Sequence, residues 1–302
     1  MGPGPGRAVG VTSLRDLAEL VRLPAALTVP GDSVAGAAAA GWPLGRRTAA
    51  LPVASACLYW AGMALNDWSD RELDAVERPE RPIPSGRVSP RQALAVATGL
   101  TGLGLAAAAC AGRPALRVAV PLAATVWAYD VLLKPTPVGP LAMGTARALD
   151  VLLGASGQLR AALPAALSVG GHTLAVTQLS RDEVSGAKSA AVPAAALAST
   201  ALVAVAAVAG PVAGDRPRTR ALHRLAAAAA AGTYAVTVGR RQLDAVQDPS
   251  AATVRRAVGA GIHGMMPLQA AFAARNGSVV AAIPVAAVFP LARALSRKVS
   301  PT

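Results

Sequence analysis

The chain has 302 residues, of which 53% are apolar and only 15% are charged, and its mean hydropathy is +0.45. A soluble domain carries about 25% charged residues, so this composition excludes an ordinary soluble enzyme, a disordered chain and a secreted disulfide scaffold. Lys and Arg number 29 against 16 Asp and Glu, a formal charge of +13. The two cysteines, Cys57 and Cys110, lie in separate apolar runs and are too few for a disulfide framework or a zinc site. We therefore predict a polytopic membrane protein.

The N-terminal region is predicted to contain a short amphipathic helix over residues 12–23. Leucines lie on one side of this helix and charged residues on the other, which suits a position along the membrane interface. We predict that residues 1–22 form a cytoplasmic segment containing this helix, that residues 23–296 form a single transmembrane bundle, and that residues 297–302 form a tail.

Apolar stretches of about 18–22 residues recur along the chain, each long enough to cross a hydrocarbon core about 30 Å thick. They do not alternate in polarity, and backbone groups in lipid must be satisfied internally, so we predict α-helices. The stretches lie near residues 23–41, 49–66, 92–112, 115–133, 139–157, 161–179, 189–213, 221–239 and 278–296. A tenth and weaker candidate, 256–274, is interrupted by His263, Gly264 and Gln269. The predicted fold is an all-α transmembrane helix bundle of nine or ten spans.

The distribution of Lys and Arg predicts the orientation of the bundle. Through the sixth predicted helix, basic residues concentrate in the segments on the same side as the N-terminus, which favours a cytoplasmic N-terminus in the cell membrane. No soluble domain is available to display a basic patch to nucleic acid. Anionic lipid headgroups and diphosphate substrates are therefore the preferred partners of the basic loops.

The most informative segment leaves the second predicted helix at Asn66, reads N-D-W-S-D-R-E-L-D, and continues as A-V-E-R-P-E-R-P-I-P-S-G-R to Arg87. On a helix, Asp67, Asp70 and Asp74 are spaced i, i+3 and i+7 and share one face. Three carboxylates so placed repel one another unless a divalent cation neutralises them, and hard oxygen ligands suit Mg²⁺ that holds a substrate phosphate. The alternative interpretation is a solvated loop beside the membrane.

The string N-D-x-x-D-x-x-x-D followed by R-P-x-R-P-I-P-S-G-R resembles the first signature of the UbiA superfamily of intramembrane prenyltransferases. The residues of this segment are similar to those of the EboC-like branch of the superfamily. The resemblance implies a helical bundle with two acidic motifs on cytoplasmic loops. The residues that it implies for binding Mg²⁺ and the diphosphate of a prenyl donor are Asn66, Asp67, Asp70 and Asp74. Arg81 and Arg87, in the basic continuation, are predicted to bind the same diphosphate oxygens.

The resemblance also implies a Tyr-x-x-x-x-Lys segment after the fourth helix, which is present from Tyr129 to Lys134. Lys134 is predicted to reach the diphosphate as a point charge, with a snorkelling interface anchor as the alternative. The ring of Tyr129 is predicted to face a carbocation, which cation–π attraction would stabilise. An interfacial aromatic belt is the alternative for Tyr129.

A second acidic motif is implied after the sixth helix, where the chain reads T-Q-L-S-R-D-E-V-S-G-A-K-S. Asp182 and Glu183 are present beside Lys188, but the positions around Gln178 carry no acid. Adjacent residues on a helix point about 100° apart, so Asp182 and Glu183 do not easily face one metal. We predict Asp182 as the second metal ligand and Glu183 and Lys188 as substrate contacts. The alternative is a plain solvated loop.

Three further charged residues lie at the edge of or within a predicted span. Arg147 and Asp150 are spaced i, i+3 in the fifth span, where ionisable groups are costly and often functional. They are predicted to line the cavity and contact the substrate, with an intrahelical ion pair as the alternative. Arg22, at the head of the first span, is predicted to contact phosphate or to anchor the interface.

The sequence thus predicts an enzyme that transfers a prenyl group from an allylic prenyl diphosphate to an unidentified acceptor in the membrane. Mg²⁺ held by the acidic motifs would neutralise the charge that grows on the departing diphosphate. The alternative function is a non-catalytic isoprenoid- or lipid-binding carrier or assembly subunit with the same fold. The reduced second motif favours that alternative.

Overall fold

In a computed structural model of the protein, residues 13–23 and 28–299 are described, with side chains through residue 290. The first twelve residues, residues 24–27 of the first predicted span and the last three residues of the predicted tail lie outside the described residues. Within the described part, the regular structure is helical throughout, which confirms the all-α prediction. The helices are α1 (Leu14–Leu20), α2 (Pro30–Ala39), α3 (Ala50–Ser69), α4 (Arg71–Glu77), α5 (Pro90–Ala111), α6 (Arg113–Ala128), α7 (Gly139–Ala155), α8 (Leu159–Ser180), α9 (Ala191–Val208), α10 (Pro217–Gln247), α11 (Ala251–Arg275) and α12 (Val279–Val299).

Each predicted span overlaps one of the longer helices, and the weaker tenth candidate falls within α11. Irregular turns adjoin two of these helices: a 3₁₀ turn, Gly45–Ala49, leads into α3, and a π turn, Tyr129–Leu133, forms the last part of the predicted span 115–133 after α6. Among the residues that the structure describes, four segments are long and apolar enough by themselves to cross a membrane, namely Gly45–Ser69, Pro90–Ala111, Arg113–Leu133 and Ala191–Val208. The chain is therefore a helical membrane protein, and the number of helices that cross the bilayer stays a prediction.

Helices α2 and α7 pack with their backbones in contact. A Cβ atom at Gly36 would lie 1.8 Å from the carbonyl oxygen of Val151, and one at Gly154 would lie 1.9 Å from that of Ser33. Only glycine allows so close an approach, which is a common way for membrane helices to associate. This contact brings α2 directly against α7.

Two apolar clusters form the interior of the bundle. One lies among α7, α8, α10 and α11 and includes Val151, Val169, Tyr234, Leu268 and Phe272. The other lies among α3, α5 and α6 and includes Leu51, Leu58, Val118 and Leu122. Large apolar side chains also face outward, as expected of helices that meet lipid, among them Leu103, Leu167, Leu202 and Leu225.

Candidate active site

The first acidic segment lies where α3 passes into α4. Helix α3 ends at Ser69 and α4 begins at Arg71, with Asp70 between them. The backbone N–H groups of Asp70 and Asp74 still donate four residues back, at 2.9 and 2.8 Å, so the helical register is nearly kept across the junction. The segment therefore presents its carboxylates much as one helix would, although it is two helices.

Asp67 and Asp74 face each other across one arginine. Their side chains are 4% and 5% exposed. Nη1 of Arg81 lies 3.3 Å from Oδ1 of Asp67 and 2.6 Å from Oδ2 of Asp74. Nη2 of Arg22 donates to Oδ1 of Asp67 at 2.9 Å. The two carboxylates of the predicted i, i+7 face thus share Arg81, and Asp67 has Arg22 as a second partner.

Asp70 turns instead towards the segment after α6. Its carboxylate forms an ion pair with Lys134. The π turn, closed by the N–H of Lys134 donating to the carbonyl of Tyr129 at 2.8 Å, leads the chain to this lysine. Such turns recur at functional sites. Tyr129 is half-buried at the start of the same turn.

Asp130 is a site residue that the sequence interpretation missed. It is 6% exposed and accepts a hydrogen bond from Nδ2 of Asn66 at 3.2 Å. The available signal was a carboxylate within a predicted span, between Tyr129 and Lys134, since such groups are rare and often functional. Asn66 is thereby oriented by a buried acid before any ligand arrives.

The second acidic segment lies at the same end of the bundle. Nη2 of Arg181 donates to the carbonyl oxygens of Lys134, at 3.3 Å, and of Thr136. The N–H of Ala187 donates to the carbonyl of Pro249 at 2.9 Å, in the turn between α10 and α11. The loops that follow α3, α6 and α8 therefore meet in one region.

The predicted residues of the second segment are less engaged. Asp182 is half-buried and makes no ion pair within the described part of the chain, and Lys188 is exposed. Burial raises the pKa of Glu183, against the opposing effects of Arg255 and Arg78. Among the residues that the structure describes, no three acidic, histidine or cysteine side chains are grouped as a metal site. The structure brings Asp67 and Asp74 together, but it does not gather Asp182 with them.

Arg87, a predicted diphosphate ligand, instead holds α1. Its guanidinium pairs with Asp16 at 2.9 Å and with Glu19 at 2.6 and 2.9 Å, and donates to the carbonyl of Glu80 at 2.7 Å. Hydrogen bonds from Ser13, followed by one from Arg87, lower the pKa of Asp16, and Arg87 is the main cause of the lowered pKa of Glu19. The helix predicted over residues 12–23 is therefore present as α1, and its ion pairs with Arg87 hold it against the basic loop that follows α4.

Arg147 and Asp150 lie in the bundle interior and do not pair with each other. Arg147 pairs with Asp32 of α2 at 2.9 Å, and Asp150 accepts a hydrogen bond from Ser55 at 2.6 Å. Asp32 also accepts from Nε2 of Gln269 at 2.7 Å. The intrahelical pair weighed for Arg147 and Asp150 is thus wrong within the described residues. Asp32, a lone carboxylate in the first predicted span, was missed.

Comparison with known proteins places this arrangement in a family. The profile described as "UbiA prenyltransferase family" matches residues 26–255, which is most of the chain. The chain belongs to the UbiA prenyltransferase family. In this UbiA family member, the matched range includes the three loops that meet at one end of the bundle.

Sequence relatives of this UbiA family member include several digeranylgeranylglyceryl phosphate synthases. The chain is 44% identical over 87 residues to a digeranylgeranylglyceryl phosphate synthase of Methanopyrus kandleri, covering 29% of this chain and 32% of that protein. It is 37% identical over 145 residues to one of Ignicoccus hospitalis, covering 47% of this chain and 46% of that protein. The matched segments thus span less than half of these relatives.

Solved structures agree with the fold over a longer range. A UbiA homologue of Archaeoglobus fulgidus bound to DMAPP and Mg²⁺ superposes with a TM-score of 0.58 at 14% identity, over 81% of this chain and 98% of that one. A UbiA homologue of Aeropyrum pernix K1 gives 0.57 at 19% identity, over 79% and 96%. At these identities the likeness establishes the fold, and the bundle predicted from the sequence is confirmed as UbiA-like.

Proposed function

We propose that this protein is an Mg²⁺-dependent prenyltransferase that moves a prenyl group from an allylic prenyl diphosphate to an acceptor in the membrane. The observation that carries the proposal is the buried pair Asp67 and Asp74, which converge on Arg81 with Arg22 and Lys134 close by. Membership of the UbiA family and the DMAPP and Mg²⁺ bound by the Archaeoglobus fulgidus homologue support it.

The carboxylate pair fits a divalent cation. Asp67 and Asp74 converge on one guanidinium, a place that a divalent cation can also take, and their oxygens are hard ligands of the kind that Mg²⁺ prefers. Asp67 and Asp74 would hold the metal, with Asp70 and Asn66 beside them. When bound, Mg²⁺ supplies Lewis-acid stabilisation of charge on the departing diphosphate.

The basic residues have the complementary role. Arg22, Arg81 and Lys134 neutralise the acidic segment through ion pairs with its aspartates. With Mg²⁺ held by the aspartates, their guanidinium and ammonium groups would be free to bind diphosphate oxygens with charge-assisted hydrogen bonds. These bonds strengthen as negative charge accumulates on the leaving group, which favours cleavage of its bond to the prenyl carbon. The surrounding apolar helices exclude water from the reactive carbon.

We propose a lipid alcohol of the glyceryl phosphate class as the acceptor. The support is that the relatives in Methanopyrus kandleri and Ignicoccus hospitalis are digeranylgeranylglyceryl phosphate synthases, and the segments that this chain matches cover 32% and 46% of those proteins. Formation of a labelled ether product from geranylgeranylglyceryl phosphate and a labelled donor tests this choice. Turnover with an aromatic acceptor and none with the glyceryl phosphate would contradict it.

The acidic segments are proposed to face the cytoplasm, because the positive-inside pattern favours that side. A cysteine introduced at Ser85 and another at Ser185, each in a background without Cys57 and Cys110, should react with an impermeant maleimide from the cytoplasmic side. Labelling of the two positions from opposite sides of the membrane would contradict a site shared by the two acidic segments.

The central test is retention of a prenyl diphosphate. The Asp67→Ala/Asp70→Ala variant should lose Mg²⁺-dependent binding of radiolabelled geranylgeranyl diphosphate, because the carboxylates that hold the metal are gone. Glu72→Ala/Glu77→Ala is the matched control, since it removes two exposed carboxylates from the same segment. Equal binding by the two variants would exclude the metal site.

A carrier without catalysis is the second candidate, and the isolation of Asp182 from the other carboxylates favours it. The two candidates differ in one measurement. An enzyme releases diphosphate in a single turnover when acceptor is in excess, whereas a carrier binds the donor and releases none.

A further inference from the structure

A basic cleft lies between α10, α11 and α12, apart from the carboxylates described above. Its volume is about 700 Å³, which is in the range of ordinary ligand sites. One face of α10 contributes Arg240, Arg241 and Asp244, and one face of α11 contributes Arg256 and His263. Nothing in the proposed transfer reaction uses these residues.

Positive charge exceeds negative charge in this cleft. Asp244 is the single acidic residue among the lining side chains, and it pairs with Arg241 at 3.1 Å. Arg240 and Arg256 are exposed and make no ion pair within the described part of the chain. Two arginines that face a shared cavity without a counter-charge raise the local potential and favour an anion. Guanidinium groups bind phosphate oxygens with particular geometric fit.

The position of the cleft suits the head of a membrane lipid. Asp244 lies about one turn from the end of α10. The cleft therefore opens near the end of the bundle at which the two acidic segments lie. The turn between α10 and α11 receives the hydrogen bond from Ala187, and Arg255 donates to the carbonyl of Glu183 at 3.4 Å. If the bundle spans a bilayer, this level is where headgroups lie.

Apolar surface continues from the basic residues. Val236, one turn deeper than Arg240 on α10, lines the same cleft and is 54% exposed, and Phe289 of α12 closes another side. A free phosphate ion would use the arginines alone. An amphiphile would place its phosphate on Arg240 and Arg256 and its chains against the apolar part.

We propose that this cleft binds the phosphate headgroup of an anionic phospholipid. The site is independent of the transfer reaction, because its residues lie outside the segment from Asn66 to Lys134 and outside the second acidic loop. Each arginine near an anionic surface contributes about 1 kcal/mol, so losing two weakens binding by about 30-fold.

The test is native mass spectrometry of the delipidated full-length protein titrated with dioleoylphosphatidylglycerol. Arg240→Ala/Arg256→Ala should bind the lipid about 30-fold more weakly than the unaltered protein. The matched control is Arg216→Ala/Arg218→Ala, which removes two exposed arginines at the other end of α10 and should bind as the unaltered protein does. Circular dichroism checks that both variants keep their helices.

Two further arms identify the ligand. Dioleoylphosphatidylcholine should bind much more weakly than dioleoylphosphatidylglycerol. Millimolar inorganic phosphate should not displace dioleoylphosphatidylglycerol. Equal binding of the two lipids, equal losses in the two variants, or displacement by inorganic phosphate would each overturn the proposal.

Discussion

The two acidic segments meet at one end of the bundle, yet they are built differently. In the first, Asp67 and Asp74 are buried and share Arg81, and Asp70 is paired with Lys134. In the second, Asp182 has no ion pair within the described residues. Burying a charge without a partner is costly, so the first segment requires cations at all times. The second segment is open enough to remain solvated without them.

This difference assigns the two segments separate tasks in the proposed reaction. The first is assembled before any ligand binds, with each carboxylate already facing positive charge. In the proposed reaction, its arginines and lysine would occupy the place of the metal and would be available to phosphate when the metal is bound. The second has no such partner to release, so its contribution depends on what the substrate brings. Binding should therefore depend on the first segment, and turnover should also depend on the second.

The largest expected effect is a loss of stability when the first acidic segment loses Arg81. Arg81→Ala leaves Asp67 and Asp74 buried and facing each other, which costs about 3–5 kcal/mol of stability. Arg255→Ala, beside the second segment, should cost less than about 1 kcal/mol, because that arginine is exposed. Thermal unfolding in detergent with EDTA measures both.

Mg²⁺ makes this test specific. If the carboxylate pair binds the metal, Mg²⁺ should restore much of the stability lost in Arg81→Ala, since it replaces the missing charge. The unaltered protein should gain less, because Arg81 already fills that place. A variant that is as stable as the unaltered protein in EDTA, or that Mg²⁺ does not stabilise, would contradict the placeholder role.

The contrast between what the sequence predicts and what the structure adds follows from the range of the interactions. Apolar runs and the i, i+7 spacing of Asp67 and Asp74 are local, so the helices and the shared face were predictable. Asp130 was missed because its partner, Asn66, lies 64 residues away. Long-range pairs of this kind arise only when helices pack.

The same argument applies to three other residues. Arg87 was predicted at the diphosphate because it follows the acidic motif, but its partners lie in α1, 68 and 71 residues earlier. Asp32 and Gln269, 237 residues apart, were separately a lone acid and an interruption of an apolar run. The buried amide nitrogen of Gln269 donates to Asp32, so each of these two polar residues accounts for the other's position in the bundle.

The second expected effect concerns Asp182. Asp182→Asn keeps the size of the side chain and removes its charge, so in a working enzyme it should lower the rate of diphosphate release by about 100-fold. Donor affinity should change little, because the first segment holds the donor in the ground state. Single-turnover release with excess acceptor and equilibrium donor binding measure the two quantities. Release at the full rate by Asp182→Asn would remove this residue from the mechanism.

The smallest expected effect is a difference in pH dependence between the contact of Arg87 with α1 and the second acidic segment. Arg87 holds the pKa of Glu19 below its ordinary value, and hydrogen bonds from Ser13 and Arg87 do the same for Asp16. The stability from this contact is complete above the ordinary carboxyl values and is lost as the pH falls through the lowered ones. Burial raises the pKa of Glu183, so there the folded protein takes up its proton first and becomes more stable as the pH falls through that raised value.

The two slopes therefore have opposite signs, and each has its own variant. Arg87→Gln should make the loss of thermal stability at acid pH shallower. Glu183→Gln should remove the gain in stability that the unaltered protein shows as the pH falls through the raised pKa of Glu183. The groups are partly exposed, so both effects are small and are best measured in low salt, where screening is weak. Unfolding midpoints collected from neutral pH down to below the ordinary carboxyl range give both slopes from one series. If Glu183→Gln and Arg87→Gln change the same part of the curve, the α1 contact and the second acidic segment do not differ in how they hold their acids, and this comparison fails.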